Sequence, residues 1–268
     1  RSPVYQTTER PDRAAQAILE GRVVLLTDNS PEALIFPATL NSLFQTADDY
    51  YRNERIVTFL RLIRYVAAFL ALALPGLYVA AATFHPQLLP GNLIRSMAEA
   101  RSGVPFPTAA EVLLMELSFE LLREAGLRMP GPAGNTIGIV GGLIVGQAAV
   151  SANLVSPITV TVAALTALGS FSIPNEELSE VFRLWKYGIL LLGSCFGILG
   201  VMLGCFLLLM LMAEQESYGI PWLYPYVGGN LNERADEKDS MFLAAARKRK
   251  RRPIFAKWGN RIRFRRKS

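Results

Sequence analysis

Between Met129 and Asn175 the chain carries no Asp, Glu, Lys or Arg. That stretch constrains the fold more than any other feature, because about 20 apolar residues suffice to span a bilayer. It is long enough for two such segments. Turn-forming residues interrupt it at Ala152-Asn153-Leu154 and at Ser156-Pro157, so helices are expected over 137–152 and 155–173. In the first of them Gly134, Gly138, Gly142 and Gly146 recur every fourth residue. On a helix they form one stripe that drifts ~40° per step, and such stripes let membrane helices approach backbone to backbone. The opposite face carries Val140, Ile144, Gln147 and Ser151. Small residues in apolar segments also serve as plain packing surface, and both readings are open.

Two more apolar runs flank this one. Tyr65 to Phe84 holds Pro75-Gly76 at its centre, where a kink is expected. Tyr187 to Ala213 is uncharged; as a single helix it reaches roughly 40 Å and must tilt. Its Gly193, Gly197, Gly200 and Gly204 give a second small-residue face, and the belt from Gly219 to Tyr226, rich in aromatics and proline, is expected at the water boundary. With 51% hydrophobic residues clustered this way, the expected class is a mainly α, polytopic helical membrane protein. It has about four transmembrane helices plus amphipathic or re-entrant helices, preceded by the end of a small α/β soluble domain. The expected divisions are 1–50 for that domain, 51–226 for the membrane region and 227–268 for a polar, basic, disordered tail.

In the first part, Asp12–Leu19 reads as a helix stopped by Gly21, and Arg22–Thr27 and Ala33–Phe36 read as strands around the turn Asp28-Asn29-Ser30-Pro31. A lone hairpin is marginal. Together with the missing initial Met, this leads us to expect a fragment whose remaining strands lie upstream or on a partner. The net charge of +6 is unevenly spread. Arg52, Arg55, Arg61 and Arg64 precede the first span; Arg247 to Arg252 and Arg261 to Lys267 dominate the tail. Positive charge marks the cytoplasmic side, so both ends are expected there, with an even number of crossings. The tail's expected partner is anionic lipid, not nucleic acid.

Asn92 is expected to cap a short helix reaching Arg101, and Thr108 to cap one from Ala109 to Ala125. On the second, Glu116, Glu120, Arg123 and Glu124 share ~100° of arc. This helix can lie in the membrane interface or line an aqueous vestibule, with Glu116, Glu120 and Glu124 as candidates for a cation access path. It can also be a solvated face holding a Glu120–Arg123 pair. Four spans result if it does not cross. The chain holds one histidine, His85, and two cysteines, Cys195 and Cys205, which are ~280° apart on a helix. No disulfide, catalytic constellation, metal site or cofactor is expected, and the chain does not read as an enzyme.

The residues then resemble a known family. Glu9-Arg10-Pro11-Asp12, Asp28-Asn29-Ser30-Pro31, Phe84-His85-Pro86, Val104-Pro105-Phe106-Pro107, Phe119-Glu120-Leu121-Leu122-Arg123-Glu124-Ala125-Gly126, Val145-Gly146-Gln147-Ala148-Ala149-Val150 and Ser170-Phe171-Ser172-Ile173-Pro174 are similar to the GerA spore germination receptors. The likeness is to their A subunit and covers residues 9–226. It implies a multi-pass protein of the spore inner membrane, acting with a transporter-like B subunit and a lipoprotein C subunit. It also implies oligomerisation into a nutrient-gated ion channel that triggers germination. A secondary transporter is the competing class, although no two-half symmetry is visible; a non-conducting membrane scaffold is the third. If subunits form a ring, the segment 137–152 is the expected pore helix. Val140 and Ile144 would then constrict it, with Gln147 and Ser151 beyond. On the packing alternative Gln147 is glue against the last span.

Overall fold

A computed structural model describes residues 3–128, 132–227, 239–244 and 255, with backbone alone at 127 and 132–140. The chain opens with β1 (Gln6–Thr8), α1 (Pro11–Glu20), β2 (Val23–Leu26), β3 (Ala33–Phe36) and α2 (Leu40–Phe44). The long helix α3 (Glu54–Thr83) follows, then α4 (Gly91–Arg101), α5 (Thr108–Leu127), α6 (Pro132–Ser151), α7 (Pro157–Phe171), α8 (Glu176–Phe196) and α9 (Ile198–Glu214). A short hairpin, β4 (Glu216–Ser217) and β5 (Ile220–Pro221), closes the order. Two compact units emerge. One joins Arg1–Val66, Ile173–Val181 and Leu208–Ser268; the other joins Ala67–Ser172 and Phe182–Leu207.

In the first unit the expected hairpin β2–β3 gains a third antiparallel strand, β1, paired Gln6 to Ile35 through Thr8 to Ala33. Gly21 ends α1 in the left-handed region at φ 92°, which glycine adopts without steric cost. The aromatic belt is corrected. Trp222 is fully buried, its Nε1 donates to the Pro3 carbonyl at 2.8 Å, and its own carbonyl accepts from Leu40 at 2.9 Å. With its N–H satisfied, the indole is buried without leaving an unpaired donor. Of the four arginines before the first span, Arg52 and Arg55 are exposed, whereas Arg61 and Arg64 both donate to Asp49.

In the second unit the helices alternate in direction. A Cβ on Gly76 of α3 would lie 3.1 Å from the Ile189 carbonyl, and one on Gly197 3.1 Å from Phe84 Cβ, so α8 runs alongside α3. Gly197 takes φ +64° and turns the chain back, and Gly204 of α9 lies 2.9 Å by the same measure from Ile189. α7 opposes α3, with Gly169 beside Ala67 and the Thr159 hydroxyl 3.4 Å from that of Tyr78. α5 opposes α8, as Val112 clusters with Leu190 and Glu116 with Lys186. α6 opposes α5, Gly142 meeting Phe119 and Ala149 meeting Met115.

Local chemistry sets the breaks. Between α6 and α7, Asn153 is left-handed at φ 53°, the Ser156 hydroxyl accepts from the Thr159 N–H, and Pro157 takes the first turn, where its missing donor costs nothing. Asn92 and Thr108 lie inside their helices, not at the caps: prolines 90 and 107 precede helices that start at Gly91 and Thr108. Among the described residues one helix, α3, is long and apolar enough to cross a membrane; Gly141–Ser151, α7 and α9 are shorter apolar helices. The run from Tyr187 to Ala213 is therefore two helices, because a left-handed residue cannot continue an α-helix.

Candidate functional site

The polar residues of α5 meet those of α8 in a ladder. Lys186 Nζ donates to Glu116 Oε2 at 2.6 Å, with side chains 6% and 2% exposed. One turn on, Arg183 pairs with Glu120. Beyond it Arg123 Nη2 donates to the Ser170 hydroxyl at 2.6 Å, and the guanidinium lies 4.3 Å from the centre of the Phe171 ring. Glu124 is exposed and pairs with Arg128 at 2.6 Å. Glu120 and Arg123 thus each make a contact to another helix, α8 and α7 respectively. Of the three carboxylates expected to face water, Glu116 does not: desolvation would leave its charge costly, and Lys186 neutralises it. The signal was present in the sequence. Lys186 and Arg183 lie three apart on α8, matching carboxylates four apart on an antiparallel neighbour.

A cavity of about 990 Å³ opens beside the ladder. Glu116, Glu120, Arg123, Arg183 and Lys186 line one wall; Gly142, Gly146, Gln147 and Ser151 of α6 contribute another. Its size suits a small-molecule site or an aqueous vestibule. Gly142 and Gly146 face Phe119 and Val160 of their own chain. Ile144 is 58% exposed, and Gln147 and Ser151 are exposed as well. Gly134, Gly138 and Val140 lie outside the residues whose side chains are described. A fourth carboxylate of α5, overlooked in the sequence, is Glu111. Buried against the start of α7, it accepts from the Ser156 N–H at 2.9 Å, the Thr159 hydroxyl at 3.1 Å and Arg101 at 3.2 Å. It ties α4, α5 and α7 together.

Residues 2–255 match the family described as Bacillus/Clostridium GerA spore germination protein. The chain belongs to the GerA family. The uncharacterized membrane protein YfkQ of Bacillus subtilis is 42% identical over 243 residues, 91% of this chain and 47% of that one. Spore germination protein GerLA of Bacillus cereus is 41% identical over 223 residues, 83% of this chain and 45% of its own. Spore germination protein A1 of Bacillus subtilis is 41% identical over 223 residues, 83% of this chain and 46% of its own. The GerA-family chain spans about half the length of the curated relatives it matches. No solved structure matches it.

Proposed function

We propose that the chain is a membrane subunit of a spore germinant receptor, acting as an A-type subunit that oligomerises and gates an ion path in the spore inner membrane. Its partners on this reading are the B subunit, the C lipoprotein, further copies of itself and, at the basic tail, anionic lipid. The observation that carries the reading is the exposed polar edge of α6, Gln147 and Ser151, set against a charged ladder among apolar helices. Intramembrane charges held in pairs mark functional paths more often than packing. The alternating directions of α3 and α5–α9 support six crossings where the sequence suggested four. The count stays even because α5 joins the bundle and the last run folds back at Gly197. Labelling Ser102→Cys from outside and Ser268→Cys only from inside checks this arrangement.

Conductance of the purified chain in liposomes tests the function. Val140→Ala and Ile144→Ser are expected to leak without nutrient while assembling in normal amount. Normal levels with no leak in either remove α6 from the pore. A non-conducting scaffold is favoured by one observation, the neutralisation of Glu116 and Glu120 by Lys186 and Arg183. On that reading no variant carries current.

A further inference from the structure

The cavity beside the ladder holds an unmet acceptor that the conducting role does not use. α5 floors it, α6 and α7 flank it, and every described residue that lines it belongs to the second unit. Most of the wall is apolar, with Phe119, Leu122, Val160, Ala164 and Leu168 along it. Leu143 and Leu168, which also line it, are 60% and 62% exposed, so the mouth is apolar too.

The charges of the wall are already balanced. Lys186 answers Glu116, and Arg183 answers Glu120. Arg123 lies against Ser170 in the last turn of α7, where the helix dipole favours a cation. A ligand with a net charge would unbalance these groups and lose its own hydration. One atom is left over. Glu116 Oε2 takes the Lys186 ammonium, but Oε1 is buried with no hydrogen-bond partner among the described residues. The Thr166 hydroxyl beside it donates instead to the Val162 carbonyl at 2.9 Å. A buried charged acceptor is costly to leave unmet. Gln147 lines the same cavity at the same level, because Gly142 meets Phe119 and Ala149 meets Met115. Its side-chain amide both donates and accepts.

We propose that the cavity binds an uncharged amphiphile. Its head carries a hydroxyl or amide donor for Glu116 Oε1 and meets Gln147 on the other side, and its apolar body lies along Phe119, Val160 and Leu168. Neutrality follows from the balanced charges, the donor from the unmet oxygen, and the apolar body from the wall. The volume of about 990 Å³ is at the upper end for small-molecule sites. This site needs the membrane placement proposed above but not conduction.

Saturable binding of radiolabelled dodecanamide to the intact chain in nanodiscs, above that of empty nanodiscs, tests it. Dodecanol should compete. Dodecyl methyl ether keeps an oxygen but has no donor, and dodecyl phosphate adds charge; each should compete at least ~tenfold more weakly. Glu116→Leu/Lys186→Met removes the acceptor together with its ion-pair partner and should weaken dodecanamide binding at least ~tenfold. Ala164→Phe fills the groove from α7 without altering an ion pair and should do the same, so a folding failure of one variant leaves the other to decide. No saturable binding overturns the proposal and leaves water to satisfy Oε1. Equal competition by the ether, or unchanged binding in both variants, overturns it as well. Binding without current in liposomes removes the conducting role alone, whereas current without binding removes the amphiphile site alone.

Discussion

Removing one member of the Glu116–Lys186 pair is the sharpest perturbation the ladder offers. The contact is 2.6 Å, and the two side chains are 2% and 6% exposed. A buried pair that loses one partner leaves a desolvated charge, at a cost of about 3–5 kcal/mol. An exposed carboxylate on a helix surface costs under ~1 kcal/mol to remove. At ~2–4 °C per kcal/mol for a domain of this size, Glu116→Leu and Lys186→Met should each lower Tm by roughly 6–20 °C. The double variant Glu116→Leu/Lys186→Met replaces the pair with packed side chains and should recover most of the loss, giving a coupling energy of at least ~2 kcal/mol in the cycle. Thermal unfolding in detergent, followed by circular dichroism, reads all four proteins. Single variants that each shift Tm by less than about 2 °C, with additive double effects, would refute the buried pair. They would restore the water-facing carboxylate that the helical wheel suggested.

The turn between α8 and α9 gives a paired control. A Cβ on Gly200 would fall 2.0 Å from the Leu192 carbonyl, whereas one on Gly188 meets nothing within 4 Å. Gly200→Ala should destabilise the hairpin by more than ~1 kcal/mol, and Gly188→Ala should be neutral or stabilise by up to ~1 kcal/mol, as read by the same melts. Asp49 makes an acid-side prediction. Burial pushes its carboxyl up, but hydrogen bonds from Arg64 and Thr46 and the charges of Arg64 and Arg61 outweigh burial and hold it below its ordinary value. The unfolded chain therefore takes up this proton first, near its ordinary value of about 3.9. The stabilisation is complete above that pH and is lost as pH falls through the lower folded value. Asp49→Asn should flatten that acid limb of a Tm-versus-pH curve; an unchanged limb would assign it to other carboxylates. Neutralising Glu120 and Glu124 together to Gln should lower cation over anion selectivity in liposomes if the ladder borders an ion path. Unchanged reversal potentials in a salt gradient leave the scaffold reading.

Features decided within a few residues were readable from the sequence. Pro157 after Ser156 starts α7 for a local reason: the hydroxyl caps and the proline lacks a donor the first turn does not need. Gly21 stops α1 for a similarly local reason, and the strand at Ala33–Phe36 followed from its composition and the turn before it. The family resemblance was legible too, since it rests on short runs in order. What depended on distant partners was not. Gly197 is one of several regularly spaced glycines, and only packing against Phe84 and His85 makes it the one that turns the chain.

The candidate site divides the same way. That α5 has a polar arc is a matter of helical periodicity and so belongs to the sequence. Which side of that arc meets water was settled by α8, whose Lys186 lies seventy positions away and makes Glu116 an interior residue. Trp222 is drawn from the expected boundary into a core by the carbonyl of Pro3, at the other end of the chain. Asp239 gains its partners because Asn41 of α2 and Arg61 at the foot of α3 present donors together. Local conformational preferences act over a few bonds and leave their mark in adjacent residues. Desolvation and ion pairing act through space, so a sequence states which charges are available and only the tertiary fold states which of them are neutralised.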